Sequence, residues 1–180
     1  NQLNRLIMNE ISQVDLAFNR LSFPKASGSF KLCELTQLLS TLSQIYGSPG
    51  SHVINPLVHF YASKLHRIFE QKRQLLKSEY WSSWKEKNSA VDLLSNVRLA
   101  YIWFKLGEHK NDFIFINSAL KMMDILRNVI LSTCTLVCGI PDQFPLRFQL
   151  SPVHYSTKAS IAFIEACLCE YEVREQLQLK

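Results

Sequence analysis

The chain has 180 residues, of which 47% are hydrophobic and 19% are charged. These proportions lie near the globular average and exclude a disordered, collagen-like or low-complexity chain. The formal net charge is +5, and five glycines and six prolines are too few for a loop-rich protein. A length of this order suits one domain, so we expect a single folded unit over residues 1–180.

Two amphipathic segments open the chain. Residues 2–21 place apolar side chains at helical spacing, and the stretch from Ser22 to Ser29 breaks this pattern. A second helix is predicted from Leu32 to Tyr46, before the turn signal at residues 47–50. Both apolar stripes suit either a core or a coiled-coil contact. The stripe of the first segment consists of Leu3, Leu6, Ile7, Ile11, Val14, Ala17, Phe18 and Leu21.

The third predicted helix begins at Asn55 and Pro56, because a capping Asn followed by Pro at the first helical position is a typical start. Its apolar spacing predicts a long helix that reaches Tyr80 or beyond. Seven Lys or Arg and three Glu between residues 57 and 87 give this part of the chain a net charge of +4.

Capping residues predict the limits of the next two helices. The fourth is predicted from Ser89 to Leu106, with Asp92 in the capping-box position, and Gly107 is expected to end it. The fifth is expected to begin at residues 111–112 and to end at Gly139.

Three prolines predict that residues 140–152 form an ordered loop rather than a helix. The last helix is predicted over about residues 155–177. No alternating pattern supports a sheet. The chain is therefore predicted to be all-α, with about six helices in antiparallel hairpins that form a helical solenoid or a partial α/α-toroid.

Cysteine usage and the chain start bear on the compartment. An odd number of cysteines, mostly in apolar helical runs, argues against a secreted disulfide framework and favours reduced thiols in the cytoplasm. No signal peptide is visible, and the missing initial Met is compatible with a fragment of a longer chain. The longest apolar stretch, residues 129–140, is too short to span a bilayer, so no membrane span is expected. The cysteines are Cys33, Cys134, Cys138, Cys167 and Cys169.

Neither the cysteines nor the histidines predict a metal site. Cys134 and Cys138 lie one helical turn apart, but no second pair has matching spacing. His59 and His66 lie two turns apart, roughly 10 Å, which is too far for a shared metal ion. We therefore expect no metal and no cofactor.

The basic face of the third predicted helix, with the aromatic residues that follow it, is the first candidate interaction site. Its positive charge could meet phosphate or an acidic partner, and its tryptophans could stack on a base or a sugar. The alternative is a solvated face whose aromatic edge packs on a neighbouring element. A dedicated nucleic-acid binder carries a denser basic patch, so we expect a protein partner rather than nucleic acid. The candidate residues are Lys64, Arg67, Lys72, Arg73, Trp81 and Trp84.

The proline-containing segment at residues 139–158 is the second candidate site. Loops between helices commonly hold ligands, and four polar side chains could face a shared mouth there. The alternative is an ordered connector that ends in a helix cap at Ser151 or Ser156. The candidate ligand-binding residues are Asp142, His154, Tyr155 and Lys158.

Two resemblances lie in the second half of the chain. The tripeptides Leu99-Ala100-Tyr101 and Ser118-Ala119-Leu120, on either side of Leu106-Gly107, resemble a helix-turn-helix repeat of the tetratricopeptide type. About residues 91–172, with Lys105-Leu106-Gly107, the Gly-Ile-Pro loop from Gly139 and the opening Thr157-Lys158-Ala159, look like the last hairpins of α/α-toroid domains. Such domains occur in carbohydrate-active enzymes and in surface-polysaccharide biosynthesis.

The sequence contains no P-loop, GxGxxG, HExxH, GxSxG or CxxC motif, so no catalytic motif directs the assignment of function. We predict a helical scaffold or binding domain that mediates protein–protein assembly and has no chemistry of its own. The alternative, which follows from the toroid resemblance, is carbohydrate processing or surface-polysaccharide biosynthesis with the site at residues 139–158.

Overall fold

The computed structural model describes residues 28–46, 51, 54–110, 112–133, 140–141, 143–144 and 156–178. Helices dominate this part of the chain and pack against one another, so the fold is all-α. The first predicted helix, at residues 2–21, lies outside these ranges. The helices are α1 (Leu32–Ser43), α2 (Ile54–Lys72), α3 (Leu93–Lys110), α4 (Phe113–Thr133) and α5 (Thr157–Gln178).

Helix α3 is the centre of the fold and contacts the other four helices. Most of its side chains are buried, and one face that includes Arg98, Tyr101, Lys105 and Glu108 stays partly exposed. Trp103, which is fully buried, donates a hydrogen bond from Nε1 to the backbone oxygen of Ala62 on α2, over 3.2 Å. The fully buried residues of α3 include Leu93, Val97, Leu99, Ala100, Ile102, Trp103, Phe104 and Leu106.

Two small antiparallel sheets correct the expectation that the chain has no strands. β1 (Ser29–Lys31) pairs with β2 (Glu79–Trp81), with Phe30 opposite Tyr80. β3 (Val91–Asp92) pairs with β4 (Gln143–Phe144). Strands of two or three residues are too short for a period-two pattern to be visible in the sequence.

Helix α2 ends at Lys72, earlier than the predicted end at Tyr80. Arg73 has a φ of 50°, a left-handed conformation that ends the helix. Leu76 is nevertheless buried, and the side chain of Asn96 on α3 holds its backbone by hydrogen bonds of 2.8 and 3.0 Å. The apolar spacing continued past the helix because the irregular chain still reaches the same core.

The limits of α3 also differ from the prediction. The helix begins at Leu93 rather than Ser89, and Asp92, which accepts a hydrogen bond from the Ser95 hydroxyl, precedes it. It continues through Gly107 to Lys110. The prediction that Gly107 ends the helix is therefore wrong. Gly107 lies inside the helix, where it allows close packing against a neighbouring residue.

Two other helix starts are confirmed. Asp112 precedes α4, and its Oδ1 accepts the Ile114 N–H over 3.0 Å. Ser156 precedes α5, and its hydroxyl oxygen accepts the Ala159 N–H over 3.1 Å. Both side chains satisfy backbone donors that the first turn of a helix leaves free.

Candidate functional site

A surface pocket of about 750 Å³ opens beside α2. One wall consists of α2 residues that recur every three or four positions and therefore share one face of the helix. Tyr46, just after α1, and His109, near the end of α3, complete the lining. The α2 residues at the centre of the argument are His59, Phe60, Lys64 and Arg67. We call this cavity the α2 pocket.

The described residues that line the α2 pocket are cationic or neutral, and none of them is a carboxylate. Among the described residues, neither Lys64 nor Arg67 has an acidic side chain within ion-pair distance. Lys72, farther along the same helix, is in contrast paired with Glu86 at 2.7 Å. Lys64 and Arg67 therefore give the pocket a positive potential that no carboxylate among the described residues neutralises.

Aromatic rings and histidines shape the walls. The ring of His109 meets Tyr46 edge to face, with centroids 5.3 Å apart. His59 packs in the same way on Phe115, at 5.6 Å, and its Nδ1 lies 3.4 Å from the Ser63 hydroxyl. These contacts hold the rings of His59 and His109 in their orientations. The pocket thus combines positive charge with apolar surface, a combination that binds anionic groups attached to an apolar body.

The structure brings three of the six predicted partner-binding residues together. Lys64 and Arg67 line the α2 pocket, and the Lys64 Nζ lies 5.9 Å from the ring centroid of Trp84. Trp84 itself is half-buried and packs against Phe30 and Tyr61. Its role in the fold is the packed aromatic edge that the sequence analysis gave as the alternative.

The other three predicted partner-binding residues lie outside the pocket. Lys72 is paired with Glu86, and Arg73 forms the left-handed end of α2. Trp81 is on β2, is 41% exposed, and has the ammonium of Lys87 at 5.2 Å from its ring centroid. The predicted helix as far as Tyr80 does not form, because α2 ends at Lys72, and Arg73 and Trp81 lie beyond its end.

The second candidate site falls mostly outside the described residues. Asp142, His154 and Tyr155 are among the residues whose placement is not described, so their grouping stays a prediction. Lys158 is exposed on the first turn of α5. It lines a smaller cavity of about 260 Å³, together with Glu165 and with residues of α1 and α3.

The structure also joins three residues that the sequence analysis did not connect. Nε2 of His66 on α2 lies 2.9 Å from the hydroxyl oxygen of Ser118 on α4. That hydroxyl donates to Oε1 of Glu70 over 2.8 Å, and Glu70 pairs with Lys121 at 3.1 Å. No local signal could have revealed this network, because Ser118 lies 52 residues from His66 and 48 from Glu70.

The His66–Ser118–Glu70 network has the residue types of a hydrolase triad in the wrong order. A hydroxyl has one proton, and Ser118 gives it to Glu70, so Ser118 accepts a hydrogen bond from His66 rather than passing a proton to it. Ser118 is also only 2% exposed, beyond the reach of a substrate. The network therefore fastens α2 to α4.

Electrostatics of the network agree with a structural role. Burial lowers the pKa of His66, whose ring lies against Trp103 and Phe115. The hydrogen bond from Ser118 is the main cause that lowers the pKa of Glu70. The native state therefore favours neutral His66 and ionised Glu70.

The three cysteines in the described part of the chain lie in surroundings that disfavour their reactive form. Burial is the main cause that raises the pKa of the Cys33, Cys167 and Cys169 thiols, which disfavours the nucleophilic thiolate. Within the described ranges, no three His, Cys, Asp or Glu side chains are placed to hold a metal ion. None of the helices in those ranges is both long and apolar enough to cross a membrane.

Comparison with protein-family models, curated proteins and solved structures finds no match to this chain. The tetratricopeptide and α/α-toroid resemblances therefore stay predictions. The choice of the α2 pocket as the candidate site depends on the geometry of this chain alone.

Proposed function

We propose that the domain is a helical protein-binding module that mediates assembly, and that its α2 pocket receives an acidic segment of a partner protein. The observation that carries the proposal is the pair Lys64 and Arg67, which line a cavity in which no described residue supplies a carboxylate. A cation on a concave surface that has no acidic partner nearby can bind an anion from outside the chain.

The positions of Lys64 and Arg67 suit a carboxylate or a phosphate. They are three residues apart on α2, so their side chains start about 5–6 Å from each other. Arg67 can bind two oxygens of one anionic group with its planar guanidinium, and Lys64 can add a point charge. One acidic side chain can therefore meet both cations.

Phe60 gives the same cavity an apolar anchor point. It is 60% exposed, although an aromatic side chain of this size is normally well covered. Contact with an apolar residue next to the acidic group of the partner would bury this ring. Surface charge alone contributes little affinity, so apolar burial at Phe60 is what would make such a contact specific.

A protein ligand is favoured over nucleic acid by the amount of charge. Among the described residues, two Lys or Arg side chains line the cavity. Nucleic-acid binding usually neutralises a longer row of phosphates with a basic patch or stripe. We expect a weak, salt-dependent interaction with a short acidic segment.

The test is fluorescence anisotropy with three labelled peptides of one length, which carry Glu, phosphoserine or Gln at the same positions beside a Leu. The full chain is expected to bind the Glu or phosphoserine peptide and not the Gln peptide. The double variant Lys64→Glu/Arg67→Glu should weaken binding by about tenfold or more, because each reversed charge costs roughly 1 kcal/mol.

A matched control is Lys77→Glu/Lys85→Glu, which changes the net charge equally with two lysines that do not line the pocket. It is expected to stay within about twofold of the original affinity, a margin well under 1 kcal/mol. Equal losses in both double variants would show non-specific attraction and overturn the proposal. Tighter binding of a single-stranded oligonucleotide than of either acidic peptide would replace the protein partner with nucleic acid.

A further inference from the structure

Helix α5 carries apolar residues on two opposite faces. Ala159, Ala166 and Val173 are buried against the rest of the fold. A second row points away from them, since a helix turns by about 100° per residue. This row, which we call the outer stripe, consists of Ile161, Ile164, Leu168 and Tyr171, and its members are between 53% and 61% exposed.

The spacing of the outer stripe is that of a helix–helix seam. Its residues follow one another at intervals of three, four and three positions, the pattern that packs two helices lengthwise at a small angle. Single exposed apolar residues are normal on protein surfaces, whereas a continuous row of this kind marks an interaction surface. A helical occupant is therefore the form of partner that the stripe fits.

We infer that the outer stripe is the docking site for residues 2–21 of the same chain. That segment, which lies outside the described residues, has its own seam at intervals of four, three, four and three positions. As a helix of 20 residues it would be about 30 Å long, and the stripe spans about 15 Å. The seam of the segment consists of Ile7, Ile11, Val14, Phe18 and Leu21.

The connection between the two is long enough. Leu21 precedes Gly28, where the description of the chain begins, by seven residues, which reach about 23 Å when extended. From there β1 leads into α1, and Ser40 on α1 lines one cavity together with Ile161 of the stripe. Leu32 at the start of α1 is about 12 Å along the helix from Ser40. The four residues from Gly28 to Leu32 add at most about 13 Å to this distance, so the linker and the segment of about 30 Å together are long enough to reach the stripe.

Tethering favours this occupant over a second copy of the chain. Four stripe residues make only two a/d pairs of a seam, and a stable dimer usually buries about 800 Å² on each partner. A segment joined by a short linker instead meets the stripe at an effective concentration of the order of millimolar. A contact too small to hold two free molecules together can thus persist within one chain.

Photo-crosslinking tests the inference in the full chain. Leu168 is replaced by p-benzoylphenylalanine in an equimolar mixture of natural-abundance and ¹⁵N-labelled protein, and crosslinked peptides are identified by mass spectrometry. The expected products join position 168 to residues 2–21 and carry a single isotope label. The matched control places the same photoreactive residue at Ile114, which is 64% exposed on α4, and is expected to give no crosslink to residues 2–21.

Three outcomes would overturn the inference. Crosslinks that mix the two isotope labels would make a second copy the occupant. Crosslinks from position 114 to residues 2–21 at equal yield would show random collision. If irradiation gives no crosslinks from position 168 to that segment, residues 2–21 do not dock on the stripe, and an external partner becomes its occupant. As a second measurement, Ile164→Lys should increase amide hydrogen exchange in residues 2–21 at least tenfold, and Ile114→Lys should not.

Discussion

Gly107 lies against Ile116 where α3 turns into α4, and a Cβ placed on Gly107 would stand 2.5 Å from Cγ1 of Ile116. The backbone oxygen of Asp112 would lie 3.1 Å from the same atom. The two helices are separated by only two residues, so the close approach is a condition of the tight connection. Glycine is present here because a side chain would occupy the space that Ile116 fills.

Gly107→Ala is therefore expected to destabilise the protein by about 1–2 kcal/mol. Alanine is the better helix former by roughly 1 kcal/mol, but overpacking a buried site usually costs about 1–3 kcal/mol. Because Ile116 is β-branched and buried, it cannot easily move its Cγ1 aside, so the overpacking cost is expected in the upper part of that range, about 2–3 kcal/mol. Urea unfolding, followed by tryptophan fluorescence, measures the change.

A double-mutant cycle provides the control. In Ile116→Ala the colliding atom is gone, so adding Ala at position 107 to that variant should cost little or should stabilise it. The coupling energy between the two sites should reach about 1 kcal/mol. A Gly107→Ala variant more stable than the original chain would show that the turn can open and would refute the packing argument.

Asn96→Ala is expected to destabilise the protein by about 2–4 kcal/mol. The fully buried Asn96 amide accepts from the Leu76 N–H and donates to the backbone oxygens of Leu76 and Asp92, at 2.8, 3.0 and 2.9 Å. Its removal leaves buried backbone groups of Leu76 without partners in the chain segment that follows α2. The measurement is the free energy of unfolding in urea.

Asn128→Ala on the exposed side of α4 is the matched control for Asn96→Ala and should change stability by less than about 0.5 kcal/mol. Asn96→Asp distinguishes the acceptor role of the Asn96 side chain from its donor role. It keeps an acceptor for the Leu76 N–H but sets a carboxylate against the Leu76 carbonyl oxygen, so this variant should regain stability as the pH falls. Equal stabilities for Asn96→Ala and Asn128→Ala would contradict the assigned role.

Acidification is expected to destabilise the protein through His66. Burial holds the folded-state pKa of His66 below its ordinary value of 6.5, so the unfolded chain takes up a proton first as the pH falls. The contribution of neutral His66 is fully present above pH 6.5 and is lost as the pH falls through the folded-state pKa. Glu70, whose pKa is lowered from 4.5, adds a further loss at more acidic pH. Unfolding free energies at pH 7.5, 6.5 and 5.5 measure the slope.

His66→Gln keeps a hydrogen-bond donor for Ser118 but has no titrating ring, so its stability should vary less between pH 7.5 and 5.5. His109→Gln removes an exposed histidine that takes no part in the His66–Ser118–Glu70 network, and it serves as the control. An identical pH slope in His66→Gln and in the original chain would show that His66 does not carry the acid sensitivity.

Local sequence signals predicted the elements whose formation depends on neighbouring residues. The helical period, together with the capping residues Asp112 and Ser156, predicted the all-α class and the starts of α4 and α5. The prediction that α1 begins at Leu32 is confirmed as well. These signals are reliable because the residues that form a cap or an amphipathic stripe lie within one or two helical turns of each other in the sequence.

Positions that depend on distant residues were predicted less well. The end of α2 at Lys72, the short strands and the helical Gly107 are all set by packing against other elements. A periodic pattern does not distinguish a residue buried by a helix from one buried by an irregular segment, and this is why Leu76 was assigned to α2.

The sequence by itself determined the helical class and the positive charge of α2, because both follow from residue types and their spacing along the chain. Only the tertiary structure decided which of those charges form a site. Folding pairs Lys72 with Glu86 and places Lys64 and Arg67 beside Tyr46 and His109, the latter 45 residues from Lys64 in the sequence. The physical reason is that a pocket is a relation between surfaces of different elements, and local periodicity contains no information about which surfaces will meet.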